Sequence, residues 1–322
     1  MKRISFSIFL IIISLVDCYS QACCSSGTPL SAQLGLEFLD KGDLHFTLAY
    51  DYNVLNDQFG ESEQLSDDSR SRISHSVLSR IQYAPGAKWS LALSLPYLFR
   101  SEKIENNLSS QTSLNASGIG DLLLQANLTI LSRNAHNWLL SSGVKFPSGS
   151  NSEENELGII LPSDLQPGTG SYDLIIASLY ELNSIADGNL NASFTLSARF
   201  NGNASRYDGR QECHFGNAFQ SIIGFNYDIY LNKGLIIPSL NLSYRRTLRD
   251  EIDEVYAPST GGDWVNLIPG IAYYRNSIKV FVSSAIPLYR YLEGTQLTSS
   301  YRVFIQLQYI LKTKKNEVIG NY

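Results

Sequence analysis

Charged residues recur at inward-facing positions of predicted β-strands, close to the end of each strand that leads into a long loop. Along five consecutive strands their signs alternate. The set, named the charge belt, comprises Asp51, Arg100, Asp121, Lys145, Asp173, Arg199, Arg245 and Arg302. Because neighbouring strands lie about 4.8 Å apart, opposite charges on adjacent strands can pair and stiffen a wall. The same ring of charge can also select among polar solutes at a constriction, so both roles stay open.

Hydrolytic chemistry has little support in the chain. Of the four histidines, only His75 is directly followed by a serine, Ser76. Successive side chains of a strand point to opposite faces, so these two diverge. A hydrolase needs a nucleophile and a base within hydrogen-bond reach. The sequence therefore predicts a protein that is not an enzyme, with no catalytic residue, no metal site and no cofactor.

The elements that must position the charge belt are strands that alternate apolar and polar residues. The clearest runs from Leu44 to Asn53, where large apolar residues occupy every second position. Such a strand has one apolar and one polar face. The alternation predicts twelve strands at roughly 43–54, 73–83, 88–100, 118–131, 138–147, 171–182, 189–201, 218–230, 235–246, 263–275, 277–289 and 300–311. The tenth is the least regular, because Pro269 and Gly270 interrupt it.

The connections between strands alternate in length. Those after even-numbered strands are short, whereas those after odd-numbered strands are longer and polar. Short turns on one side and long loops on the other are typical of outer-membrane barrels, in which both termini lie in the periplasm. Aromatic residues also cluster near both ends of the strands, as expected at two lipid–water interfaces. The predicted fold is an all-β, up-and-down antiparallel transmembrane barrel of about twelve strands.

The N-terminus carries a secretory signal. Lys2 and Arg3 precede an apolar run from Ile4 to Val16, and small residues follow. The predicted organisation is a signal peptide at 1–20, an N-terminal periplasmic segment at 21–42, the barrel at 43–311 and a periplasmic tail at 312–322. Three cysteines remain after cleavage, an odd number that does not suit a disulfide framework. Their roles stay unassigned, as does lipidation at the first of them; the three are Cys23, Cys24 and Cys213.

Charge and composition limit the partners. The net charge of −5 argues against nucleic acid. The long loops are rich in Asp and Glu. Solvation of exposed loops explains this composition. The alternative is that the acidic residues bridge to lipopolysaccharide through divalent cations or bind a cationic ligand. The expected partners are outer-membrane lipids and lipopolysaccharide, with a small-molecule solute as a further possibility. The sequence does not indicate an oligomeric state.

Three segments of the central third resemble a known bacterial family. Ser117–Ala126 (SGIGDLLLQA) is similar to a G-x-G-D strand, Val144–Ser150 (VKFPSGS) to a V-K-x-P-T-G segment, and Leu165–Asp173 (LQPGTGSYD) to a Q-x-G-T-G-S-x-D segment. These motifs resemble the outer-membrane family associated with the meta-pathway of phenol degradation, often simply called "transporter". The resemblance implies a channel loosely similar to fatty-acid and aromatic-hydrocarbon uptake barrels. It does not imply that phenol is the ligand.

The chain is therefore interpreted as an outer-membrane channel or transporter for small molecules with a narrow charged lumen. Twelve strands fall between small barrels filled by side chains and wide porins. Only about 20 residues precede the first strand after the signal peptide, so no large plug is expected. A non-conducting surface barrel acting as a receptor or structural protein stays open as an alternative, and an outer-membrane hydrolase has weaker support.

Overall fold

The structure is a computed structural model. The residues it describes are 35–67, 69–105, 111–185, 188–206 and 211–312. The predicted signal peptide, Cys23, Cys24 and all of the predicted C-terminal tail except Lys312 lie outside these ranges. Among the described residues, no helix is long and apolar enough to cross a membrane.

The regular structure of the described residues consists of β-strands. In chain order they are β1 (Leu44–Glu61), β2 (Glu63–Leu65), β3 (Arg70–Tyr83), β4 (Trp89–Glu105), β5 (Gln111–Ile119), β6 (Leu122–Arg133), β7 (His136–Phe146), β8 (Asp173–Ile185), β9 (Leu190–Asn201), β10 (Asn203–Arg206), β11 (Gln211–His214), β12 (Ala218–Tyr227), β13 (Ile229–Leu231), β14 (Gly234–Thr247), β15 (Glu251–Ile252), β16 (Val255–Tyr256), β17 (Gly262–Arg275) and β18 (Ile278–Leu311).

Eleven of these elements form a closed antiparallel ring, in the order β1, β3, β4, β6, β7, β8, β9, β12, β14, β17 and β18. The last element supplies two wall strands. Its first part, Ile278 to Leu292, pairs with β17, and its second part pairs with β1 up to Leu311. The two parts run in opposite directions, and Arg290 of the first donates to the carbonyl of Ser299 in the second, 2.6 Å away. Counting both parts, the wall has twelve strands, and the predicted up-and-down barrel is confirmed.

The barrel wall has an apolar outer face and a polar inner face. Along β4 every second side chain is buried, and the alternate residues Leu91 and Leu93 are both 42% exposed. Lipid offers no hydrogen-bond partners, so a closed ring with all ladder bonds made is the form in which strands can cross a membrane. Exposed aromatic rings lie near both ends of the wall: Tyr83, Trp89, Trp138, Tyr180, Tyr227 and Tyr309 at one end, and Tyr50, Tyr97, Phe99, Tyr172, Phe200, Tyr244 and Tyr301 at the other.

The predicted fourth strand, 118–131, is divided into two elements. β5 pairs with the outer part of β4, and β6 pairs with its inner part. The break lies at Gly120 and Asp121, where the Gly120 amide donates to the carbonyl of Pro96 at 2.8 Å. Pro96 has no amide proton for the ladder, which explains why pairing is interrupted at this height.

The predicted tenth strand is present as β17 in spite of Pro269. On one side Pro269 pairs with Leu240 of β14. On the other side the ladder passes from Leu267 directly to Gly270. The proline therefore costs a hydrogen bond on a single side, because its missing amide proton points to β18.

Part of the long-loop region is ordered beyond what the sequence predicts. β1 and β3 extend past the predicted strand ends, and β2 folds back on β1. Short segments of two loops form a separate four-stranded sheet in the order β10, β11, β15 and β16. Cys213, buried on β11, belongs to this sheet. Two-residue strands carry too little pattern to be recognised from sequence.

Candidate functional site in the barrel lumen

The loop between β7 and β8 folds into the barrel. Residues 148–170 are named the inward loop. Its Leu161 and Leu165 are 2% and 0% exposed and pack on Ala116 of β5, with Leu114 beside them. Full burial of a leucine side chain is worth roughly 1.5–3 kcal/mol, which favours the folded-in position of an otherwise polar loop.

Gln166 holds the inward loop in its shape. Its Nε2 donates to the carbonyls of Glu153 and Leu161, each at 2.9 Å, and its Oε1 accepts from the Glu153 amide at 2.8 Å. The side chain is 1% exposed. One buried amide thereby satisfies three main-chain groups of the loop, which keeps the loop compact.

Two arginines of the wall anchor the inward loop to the barrel. Arg100 Nη1 donates to the carbonyls of Asp164 and Gln166, at 3.0 and 2.6 Å. Arg72 Nη2 lies 2.6 Å from a carboxylate oxygen of Asp164 and 2.8 Å from one of Glu102. The charges of Arg72 and Glu102 are almost fully buried. Buried ion pairs of this kind set position more than they add net stability.

Three members of the charge belt form one cluster at the base of the inward loop. Lys145 Nζ lies 3.0 Å from Asp121 and 2.7 Å from Asp173. Asp121 also accepts from the Thr169 amide at 2.9 Å, and Lys145 contacts the Thr169 hydroxyl. Ser171 Oγ donates to Asp173 at 2.7 Å. Strands β7 and β8 are thus joined to the loop that connects them.

Glycines allow the loop backbone to approach this cluster. A Cβ atom on Gly168 would collide with the main chain of Gly149, and one on Gly149 would lie 2.8 Å from the Ile119 carbonyl oxygen. A Cβ on Gly120 would lie 2.9 Å from Pro96. Each of the three recognised motifs contributes one of these glycines, so the motifs meet at one point of the structure, where the inward loop contacts the wall.

Arg100 also contacts the inward loop, whereas the remaining four members of the charge belt lie away from it. Arg302 is paired with Asp51, its Nε donating at 2.6 Å. Arg245 lies over the ring of Trp264, with its guanidinium carbon 4.2 Å from the ring centre. Arg199 is half-buried on β9. The charge belt therefore divides into three groups. Four members lie at the inward loop, two form the Asp51–Arg302 ion pair, and the last two are Arg199 and Arg245.

A cavity of about 420 Å³ occupies the side of the lumen lined mainly by β9, β12, β14, β17 and β18. Arg245, Trp264 and Arg302 lie on its lining, as does Glu181. Its apolar lining includes Leu36, Leu179, Ile222, Ile268, Phe281 and Phe304. At the outer rim, Arg290 lies 2.8 Å from Asp57. The volume lies in the range of small-molecule sites.

The segment before β1 enters the periplasmic end of the lumen. Leu36 packs on a cluster of Leu123, Ile175 and Ala177 from β6 and β8. On the opposite wall, Glu37 accepts from Gln308 at 2.6 Å and lies 3.2 Å from Lys279. Two consecutive residues thus contact opposite sides of the barrel. Both residues belong to the predicted periplasmic segment 21–42. They lie across the lumen and narrow it.

The ionised form of Glu37 is favoured at this position. Burial by itself raises its pKa, but Lys279 and the hydrogen bonds with His45 and Gln308 outweigh burial and hold the pKa of Glu37 well below its usual range. The contact is therefore complete at neutral pH. It weakens only when the pH falls through that lowered pKa.

The histidines contact groups other than serine hydroxyls. Their side-chain hydrogen-bond partners are Tyr50 for His75, Tyr180 for His136, Asn203 for His214, and Glu37 and Gln308 for His45. Within the described residues, no cluster of three metal-ligating side chains occurs.

Comparison with known proteins identifies the family. Residues 56–277 match the family model described as "Putative MetA-pathway of phenol degradation", which is more than two thirds of the chain. The chain belongs to this family. Three motifs in the sequence resemble this phenol-degradation family. The same three motifs hold the inward loop against the wall. No curated protein matches the sequence significantly.

Solved structures support the fold of this family member. An outer membrane channel from Pseudomonas putida F1 superposes with a TM-score of 0.68 at 13% identity, over 85% of this chain and 97% of the other. The β domain of the Bordetella autotransporter BrkA gives 0.49 at 9% identity, over 84% and 100%. At 13% identity the likeness to the Pseudomonas putida channel concerns the fold, which is that of an outer-membrane barrel.

Several residues of the site were not predicted from sequence. Arg72 and Glu102 lie just beyond the predicted ends of their strands, where the alternation continues for one more inward position. Extending the alternating pattern by one inward position on each strand would identify Arg72 and Glu102. Asp164, Gln166 and Glu37 lie outside strands, and no periodic pattern marks them.

Proposed function

We propose that this protein is a channel that admits small molecules across the outer membrane through a narrow, charged lumen. One observation carries the proposal: a cavity of about 420 Å³ inside a closed barrel, with polar and charged side chains on its wall. The inward loop covers the opposite wall, so the path for a solute runs along β9, β12, β14, β17 and β18. In this proposal the cluster of Asp121, Lys145 and Asp173 sets the width of the path, because it holds the loop aside.

Contacts outside the lumen belong to the same proposal. The apolar outer face contacts outer-membrane lipid. Acidic side chains at the extracellular end of the barrel, such as Glu61 at the end of β1 and Glu63 on β2, are exposed. This exposure suits bridging to lipopolysaccharide phosphates by divalent cations.

Single-channel recording from the purified protein in planar bilayers tests the proposal. The wild-type protein is expected to conduct. Asp121→Ala is expected to change the conductance, because it removes the carboxylate that binds Lys145 and the Thr169 amide together. Lys233→Ala, at an exposed position in a short periplasmic turn, is the control and is expected to leave the conductance as it is. Absence of both conductance and solute flux would refute a channel.

A non-conducting surface barrel is the second candidate. The observation in its favour is that Leu36 and Glu37 cross the periplasmic end of the lumen. A barrel closed by this segment would act through its extracellular sheet and loops. The same recording separates the two candidates, since a permanently closed barrel carries no current.

A further inference from the structure

The luminal cavity has a charged outer part, and several apolar side chains line its inner part among polar ones. Arg245, Trp264 and Arg290 are neighbours in register across β14, β17 and the first part of β18. Further along the same strands toward the periplasm, Ile268 and Phe281 line the cavity together with the polar residues Asn241 and Ser283. A strand rises about 3.3 Å per residue, so Trp264 and Ile268, four positions apart, are separated by roughly 13 Å.

The guanidinium groups at the outer part are held in place. Arg302 is fixed by Asp51, with its Nε 2.6 Å from the carboxylate. Arg245 is stacked over Trp264, whose Nε1 donates to Thr298 Oγ1 at 3.1 Å. An arginine stacked on an aromatic ring keeps its positive charge, and its planar guanidinium group matches the geometry of a carboxylate.

The apolar part lies within one ligand length of these cations. Phe304 follows Arg302 by two residues on the same strand, or about 7 Å toward the periplasm. Its ring centre is 6.3 Å from that of Phe281. Leu36 lines the same cavity from the N-terminal segment. The carboxylate on the lining, Glu181, lies on β8, toward its periplasmic end.

We propose that this cavity binds small organic carboxylates that carry an apolar body. The carboxylate contacts Arg245 and Arg302, and the apolar body lies against Phe304, Phe281 and Ile268. The proposal rests on the proposed channel and names its substrate class. A solute with only one of the two features, charge or apolar body, gains only part of the contacts.

The inference is tested with the full chain in planar bilayers. The measurement is how strongly each added probe blocks the potassium chloride current. The probes are benzoate, its neutral counterpart benzamide, and acetate, which has the charge without the ring. Half-block by benzoate is expected at a concentration about tenfold or more below that of benzamide, which lacks the charge-assisted hydrogen bond. The same is expected relative to acetate, which lacks the ring that lies against Phe304 and Phe281. Equal block by benzoate and benzamide, or by benzoate and acetate, would overturn the inference.

Variants assign the effect to the two parts of the cavity. Arg245→Gln is expected to remove the preference for benzoate over benzamide, and Phe304→Ala the preference for benzoate over acetate. Arg246→Gln is the matched control, because Arg246 is the next residue of β14 and points outward, 51% exposed. If Arg246→Gln weakens benzoate block as much as Arg245→Gln does, the assignment is wrong.

The outcomes separate this inference from the proposed function. A protein that conducts potassium chloride but responds equally to the three probes is a channel without this binding site. A protein that carries no current in any condition contradicts the proposed function itself.

Discussion

At the scale of single residues, the charge belt divides into side chains that hold structure and side chains that face the open lumen. Lys145 belongs to the first group, since one ammonium group bridges two buried carboxylates, Asp121 and Asp173. Arg245 belongs to the second. The sequence places all of them on inward positions because alternation is a local property of a strand. It does not separate the two groups, since the inward loop that divides them is a tertiary feature.

Lys145→Met is expected to destabilise the barrel strongly. The substitution leaves two carboxylates buried side by side, and breaking a buried pair costs about 3–5 kcal/mol. The temperature at which the folded band disappears in unboiled-sample electrophoresis measures the effect, with Lys233→Met as control. Adding Asp121→Asn and Asp173→Asn to Lys145→Met is expected to restore much of the loss. If the triple variant is no better than the single one, uncompensated charge is not the cause.

At the scale of elements, the strands are more predictable than the segments between them. β4 was predicted well, because its alternation runs almost without interruption along the wall. The inward loop has no period, and its burial depends on Arg72 and Arg100 from other strands. The alternation likewise does not reveal the division at Gly120, since the division follows from Pro96 on the neighbouring strand.

The N-terminal segment is expected to act as a partial closure. Glu37→Gln weakens the attachment to Lys279, so residues 35–38 leave the lumen more often and the open fraction of the channel rises several-fold. Single-channel dwell times measure this fraction. Asp40→Asn is the matched control, because Asp40 lies on the same segment and is exposed. An open fraction unchanged by Glu37→Gln would show that this contact does not close the lumen.

At the scale of the whole molecule, the barrel is a closed wall with an unequally filled interior. The inward loop and a hydrogen-bonded network occupy one side, where Arg80 donates to Gln125 at 3.1 Å and Gln125 donates to Ser141 at 2.8 Å. The cavity lies on the other side. The regular alternation of short and long connections predicts the wall and its orientation, because that alternation depends only on topology. Which side stays open depends on side-chain volume and loop placement together.

Chemical block at single cysteines is the most direct measurement of where solutes pass. In a background with Cys23, Cys24 and Cys213 replaced by serine, Thr195→Cys places a thiol on the cavity lining. Ser141→Cys places one in the hydrogen-bonded network across the lumen. A small anionic methanethiosulfonate reagent is expected to reduce the single-channel current of Thr195→Cys permanently and to leave Ser141→Cys unaffected. Block at Ser141→Cys with none at Thr195→Cys would contradict a path along this side of the barrel.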